Sequence, residues 1–228
     1  HEVAAHGWRW ERHAHMDEAQ EREAIARAVA AITEAAGTPP VGWHTRSACT
    51  PHTRELLVAE GYLYDSDAYN DDTPYFVPVQ GRRHLVLPYA FDTNDMQFQH
   101  TQRFDTAASF AEYVCDAIDW LTREGATCTR MLSVGLHLRM IGRPARMKAL
   151  ERILAHAREA GAWVATREQI DSYCRQHNIR PHVQVEANTI SALIEVVSRT
   201  KLSTLLPATI ALAHSQLVAI ELDQQRLQ

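Results

Sequence analysis

The residues of this chain best suited to chemistry stand where apolar segments run out. His6, Arg46, Asp65, Asp92 and His137 each fall just after a stretch that reads as a strand. An imidazole titrates near neutrality and can give or take a proton. A guanidinium can pair with a carboxylate or steady developing negative charge. Asp92, Asn94 and Asp95 offer oxygens to the N–H groups of a ligand. Two further groupings carry weaker signals. The pair in His13-Ala14-His15 reads as idle loop histidines, and the acids Asp65, Asp67, Asp71 and Asp72 read as a solvated loop. That loop lacks the Gly and the closing Glu of a calcium-binding hand.

The elements that must position these residues alternate in type. Helical periodicity and end signals predict helices over about 17–36, 51–60, 107–124, 144–160 and 167–177. Asp17 is the expected cap of the first, with acids in its first turn serving capping and solvation. Short apolar runs predict strands over 2–5, 41–46, 61–64, 85–87, 131–136 and 163–165. Strands alternating with helices imply a parallel sheet or a β/α barrel, in which chemistry sits at the C-terminal strand ends. The composition changes near Asn178. Beyond a boundary at 178–181 come a helix over 189–200, an apolar stretch broken by Pro207 and a strand over 217–222.

The bulk numbers exclude several classes. A net charge of −5 gives no footing for nucleic acid. No apolar run reaches the ~20 residues needed to span a bilayer, so no membrane partner is expected. Cys49, Cys115, Cys128 and Cys174 are widely spaced, without a C-x-x-C pair, which suits a reduced cytoplasmic protein.

The ordered segments together resemble a known family. His1-Glu2-Val3-Ala4-Ala5-His6-Gly7-Trp8-Arg9-Trp10 resembles the second motif of the polysaccharide deacetylase (NodB-homology) family. That motif places two histidines four apart as ligands of a divalent metal. Here the first is His6, but the second position is Trp10, whose indole has no lone pair to give. Gly42-Trp43-His44-Thr45-Arg46-Ser47 with Thr53-Arg54 resembles the third motif, whose Arg orients a catalytic carboxylate. Cys49 stands there where Pro or Ser is expected, and the motif carries an extra residue. Tyr64 to Asp72, Leu87-Pro88-Tyr89, Asp92 to Met96 and Leu132-Ser133-Val134-Gly135-Leu136-His137 continue the series, and Trp163 to Glu168 closes it. The set resembles the allantoinase-like branch, whose members open a cyclic ureide by amide hydrolysis without a metal.

This resemblance, over residues 1–178, implies an α/β fold: a NodB-type (β/α) barrel, incomplete because the N-terminal strand and its aspartate-rich motif should precede His1. That missing motif supplies the general base, so the chain alone is expected to be unstable and inactive. The resemblance implies His137 as general acid, with Arg46 and His6 beside it. Trp8, Trp10, Asp65, Asp92, Asn94 and Asp95 are the expected contacts of a cyclic amide or ureide. No cofactor is expected. The alternative is an N-acetyl-sugar or peptidoglycan deacetylase, in which His6 would still ligate zinc. Residues 181–228 resemble a fragment of a LysR-type effector-binding domain, through Val185 to Ile194 and Leu205-Leu206-Pro207-Ala208. On that likeness alone a noncatalytic regulator fragment is a third reading. A homo-oligomer is compatible with all three.

Overall fold

Asp17 starts the first long helix by a reciprocal pair of bonds. Its carboxylate accepts from Gln20 N at 2.9 Å, and the Gln20 side chain accepts from Asp17 N at 3.1 Å, satisfying two donors that a helix start leaves orphaned. This helix, α1 (Glu18–Ala36), stops at Gly37, where φ is 79°, a left-handed value that glycine adopts without strain. The structure, a computed structural model, describes residues 1–99 and 104–177, and Ile194. The elements after α1 are β1 (Gly42–Trp43), α2 (Thr53–Ala59), β2 (Tyr64–Asp65), β3 (Tyr75–Val79), β4 (Arg82–Val86), α3 (Ala107–Glu124), α4 (Leu138–Ile141), α5 (Pro144–Glu159) and α6 (Arg167–Gln176). Thr106 with Ser109 and Thr166 with Gln169 repeat the capping box at α3 and α6. Pro144 opens α5, where a missing N–H costs nothing. Apart from Ile194, which is helical, the expected helix and strand beyond Asn178 lie outside the described residues. Contacts place His1–His182 in one unit and the remainder in another.

The sheet runs in the order β1-β2-β4-β3. The pairs β1–β2 and β2–β4 are parallel, while β3 runs antiparallel to β4. The β3–β4 hairpin was not expected from the sequence. Its turn is Gln80-Gly81, with φ 48° and 77°, the conformation whose twist matches the flanking strands. Pro78 lies in β3 at the end of the strand order, where a missing ladder donor is tolerated. Two isolated parallel bridges stand outside these strands: Ala5 with Trp43, and Asn94 with Gly135.

Three expected strands are therefore corrected. Residues 2–5 and 131–136 contribute one bridge each, and 163–165 none. Apolar runs report a tendency to be buried, whereas a strand also needs a ladder partner. Met131 N instead donates to Asp72 O at 2.7 Å, and Trp163 and Val164 stay exposed. The short α4, just after His137, was also unforeseen.

Helices cover the sheet through separate apolar clusters. Ile25 and Ala28 of α1 and Leu56 and Leu57 of α2 pack with Ala5, Trp43 and Tyr62. Cys174 of α6 packs on Tyr64, Leu85 and Leu87. Phe110, Val114 and Ile118 of α3 meet Ala149, Ile153 and Ala157 of α5, with Met140 and Ile141 of α4.

A polar knot joins α1 to α2, correcting the reading of two surface features. Glu21 is fully buried rather than solvated, and so is His13. Glu21 accepts from His13 Nδ1 at 3.1 Å, Thr53 Oγ1 at 2.6 Å and the Thr50 hydroxyl. Burial pushes the Glu21 carboxyl up, but these donors outweigh it and hold the group below its ordinary 4.5. The stability they confer is complete above that ordinary value and is lost as pH falls through the depressed one. Glu21→Gln should cost about 2–3 kcal/mol near neutrality. In urea melts, the gap to the wild type should close below pH 4.5; a gap independent of pH would refute an ionised Glu21. Gly42 tests the sheet itself: a Cβ there would stand 1.9 Å from the Tyr64 ring, which is fully buried. Gly42→Ala should lower stability by about 1–3 kcal/mol, read as a drop in Tm.

Candidate active site

Gly135 has no side chain where one would stand 2.3 Å from Tyr89 Oη and 2.5 Å from Asn94 Nδ2. That gap lets residues 93–95 lie along residue 135, with Asp95 N donating to Gly135 O at 2.9 Å. Asp95 is thereby buried beneath His137. Its Oδ1 lies 2.6 Å from His137 Nδ1, while Oδ2 accepts from His137 N at 2.7 Å and Ile141 N at 3.1 Å. One carboxylate thus fixes the ring, its backbone and the start of α4, where a helix dipole favours negative charge. The contact puts a proton on Nδ1 and leaves Nε2, on a side chain 32% exposed, as the working nitrogen.

His6 neighbours this pair closely enough for His137 to act on its charge. Its Nδ1 donates to the His44 carbonyl, and its Nε2 accepts from Trp10 Nε1–H at 3.2 Å. Both partners demand the neutral ring with its proton on Nδ1. His44 stacks on His6 with ring centroids 4.9 Å apart and on Tyr89 at 4.7 Å. Packing around the His6 ring desolvates it, which pulls its pKa below the ordinary 6.5; the His44 carbonyl opposes this, and the His44 ring adds to it. Trp10 holds φ 56°, a left-handed value that is strained for a bulky residue. Arg46 stabilises it there, donating to Trp10 O at 2.6 Å and lying 4.1 Å above the indole.

A second carboxylate–imidazole pair completes the site. Asp67 Oδ1 lies 3.2 Å from His44 Nδ1, and its oxygens accept from Thr45 N and Thr45 Oγ1, both at 2.6 Å. Asp65 N-terminal to it is fully buried and accepts from Arg54 Nε and His84 Nε2, each at 2.9 Å, and from Asp67 N at 3.0 Å. These bonds seat the loop that carries Asp67.

The structure brings His6, Trp10, Arg46, Asp95 and His137 together and corrects several roles. Asp65 is an interior anchor for the loop, not a ligand contact, because burial and three donors consume its carboxylate. Asp95 likewise orients His137. Asn94 accepts from Met96 N and donates to Tyr89 Oη, so its amide is spent on the turn. Trp8 packs beside α1 under the guanidiniums of Arg9 and Arg27. Asp92, bonded to Tyr113 at 2.9 Å, lines an outer cleft of about 420 Å³ with Tyr69, Tyr89, Phe91 and Ser133. Arg46 pairs with an indole, while Arg54 holds the carboxylate. Sequence reasoning missed His44 and Asp67. His44 follows β1 directly, so the strand-end rule that chose His6 would have found it; Asp67 was absorbed into an apparently solvated acidic loop.

Among the described residues, no group of three His, Cys, Asp or Glu is placed to hold a metal. The donor set also fails chemically at His6, whose Nε2 lone pair is aimed at the indole N–H rather than free for a cation.

A protein of Schizosaccharomyces pombe named as a polysaccharide deacetylase is 35% identical over 74% of this chain and 58% of its own length. The crystal structure of a polysaccharide deacetylase from Pseudomonas aeruginosa is 47% identical and superposes with a TM-score of 0.72, covering 79% of this chain and 61% of that one. This chain is similar to proteins of the polysaccharide deacetylase family. A structure titled Puue Allantoinase is equally similar, at 45% identity and TM-score 0.72, over 80% of this chain and 61% of that one. The chain spans about three-fifths of the length of these deacetylase-family relatives. The LysR substrate binding domain family matches residues 132–228. That match begins well before the compositional change near Asn178 and includes α4, α5 and α6, which pack in the same unit as the sheet.

The tautomer of His6 is directly measurable. Nitrogen-15 NMR at neutral pH should show a neutral ring protonated on Nδ1, titrating below 6.5. Trp10→Phe, which removes the N–H donor, should change the Nε2 shift. A ring charged at neutral pH would contradict this geometry.

Proposed function

We propose that this chain carries the catalytic groups of an amidohydrolase that opens a cyclic ureide, as the name of the Puue Allantoinase relative suggests. One observation carries the reading: two carboxylate-held imidazoles, Asp95–His137 and Asp67–His44, lie beside a His6 whose Nε2 lone pair is taken by Trp10. Amide hydrolysis needs a proton acceptor for water and a proton donor for the leaving nitrogen. With Nδ1–H turned to Asp67, His44 presents an Nε2 lone pair that suits the acceptor. His137, held by Asp95, gives its Nε2 proton to the departing nitrogen as the C–N bond breaks. Water's hydroxyl ends on the carbonyl carbon and its proton passes to His44 Nε2; exchange with solvent then deprotonates His44 and reprotonates His137. Arg46 supplies positive charge for the oxyanion, while the exposed Trp10 face and Tyr89 suit a flat ring. The family's (β/α) barrel is the proposed frame, with the Ala5–Trp43 bridge extending the sheet beyond β1.

The test is turnover of allantoin by protein carrying these residues, with and without a chelator. Activity should survive the chelator and follow a bell-shaped pH profile. His137→Asn and His44→Phe should each lower kcat by about 10²–10⁴-fold, with Asp95→Asn close behind. Loss of activity with chelator and its return with zinc, on N-acetyl-sugar substrates, would favour the deacetylase alternative. Full activity in His44→Phe would remove His44 as the base.

A further inference from the structure

The Tyr89 hydroxyl carries a proton that no protein group takes up. Tyr89 lies just beyond β4 and packs its ring on His44, with centroids 4.7 Å apart. Its Oη reaches the segment that leads into His137, at Gly135, where a Cβ would stand 2.3 Å away. Among the described residues the hydroxyl has one hydrogen-bond partner, Asn94 Nδ2 at 2.9 Å. The other end of that amide fixes the direction of this bond. Asn94 Oδ1 accepts from Met96 N at 2.8 Å, so the nitrogen is the atom at Oη, and it can only donate. Tyr89 is therefore the acceptor, and its own O–H points elsewhere, with no acceptor among the described residues.

The surroundings suit that donor to a developing negative charge. Tyr89 is half-buried and lines the outer cleft of about 420 Å³. The Arg167 guanidinium lies 6.0 Å from the ring centroid and donates to Ser133 Oγ at 3.0 Å. Asp95 also acts on the phenol, but its oxygens are taken by His137 and Ile141. Tyr69 and Phe91 pack edge-on, with centroids 6.1 and 6.2 Å away. Burial pushes the phenol above its ordinary 10.0, while Arg167 and the Asn94 bond oppose the rise. The hydroxyl is thus a neutral donor at the pH where imidazoles work.

The geometry points to Tyr89 as a further catalytic residue, whose Oη–H donates a hydrogen bond to the oxygen of the scissile carbonyl held between His44 and His137. The inference rests on the amidohydrolase reading above. As water's hydroxyl adds to the carbonyl carbon, the C=O electron pair moves onto that oxygen. The phenol proton stays on Oη throughout, and the carbonyl re-forms as the C–N bond breaks. A donor aimed in advance by Asn94 stabilises the oxyanion more than the ground-state carbonyl, so its effect falls on kcat.

Kinetics on protein carrying these residues, with allantoin as substrate, test it. Tyr89→Phe keeps the ring on His44 and removes only the donor; kcat should fall about 10²-fold to 10³-fold with KM little changed. A fluorinated tyrosine at position 89 keeps the hydroxyl but makes it more acidic. A phenolate cannot donate, so the alkaline limb of the kcat profile should move to lower pH, which a merely structural tyrosine would not cause. A readout without turnover uses hydantoin, a cyclic ureide, bound to His137→Asn protein. Its infrared carbonyl band should rise in frequency when Tyr89→Phe is added, as the hydrogen bond is lost. Full kcat in Tyr89→Phe, an alkaline limb that stays in place or an unmoved carbonyl band would overturn the role of Tyr89, while loss of activity in His44→Phe and His137→Asn would leave the amidohydrolase reading standing. Full activity in those two variants, or a wild type that neither turns over allantoin nor binds hydantoin, would overturn both.

Discussion

A carboxylate taken out of water must find donors for both oxygens, and in this chain that requirement places the loops. Asp65 is the centre of it. It draws Arg54 from α2 and His84 from β4 onto one group, and it fixes Asp67 N in the same act. Asp67 in turn clasps Thr45 and His44 after β1. Neighbouring strand ends are thus locked in register by charge-assisted bonds that the short strands could not supply, since β1 and β2 are each two residues long. Removing one partner would strand the others as unpaired charge, which is costlier than any single bond.

Asp95 and Glu21 repeat the device at other points. Asp95 joins residue 95 to His137 and α4, and Glu21 joins α1 to the segment that starts α2. The arrangement separates two tasks. Buried carboxylates supply rigidity, and Asp95, which holds His137 through Nδ1, leaves the Nε2 of that ring for the site. A catalytic ring oriented through its far nitrogen loses rotational freedom before any substrate arrives.

Trp10 changes the nature of the site more than any other residue. An indole N–H can only donate, so beside His6 Nε2 it occupies that nitrogen's lone pair with a hydrogen bond. Holding it there strains the backbone at φ 56°. The Arg46 bond to its carbonyl and the guanidinium over its ring offset that strain. The same Arg46 leaves the carboxylate to Arg54, so two arginines of one motif divide the work.

The sequence by itself determined what depends on near neighbours. Helix ends follow from Asp17, Thr106, Thr166, Gly37 and Pro144, because a capping box or a glycine stop is complete within a few residues. The ordered motifs, with Trp10 in a histidine's place, were legible for the same reason, and they carried the likeness to polysaccharide deacetylases. The short strands were only half visible, since a ladder partner lies far along the chain; the β3–β4 hairpin was hidden because Gln80-Gly81 is not a strong turn signal. Above all, sequence could not sort the acids. Glu21, Asp65, Asp67, Asp92 and Asp95 are one chemical type, and only the tertiary structure decided which are sealed among donors and which face water. Burial is a property of the surroundings, and those surroundings come from segments dozens of residues away.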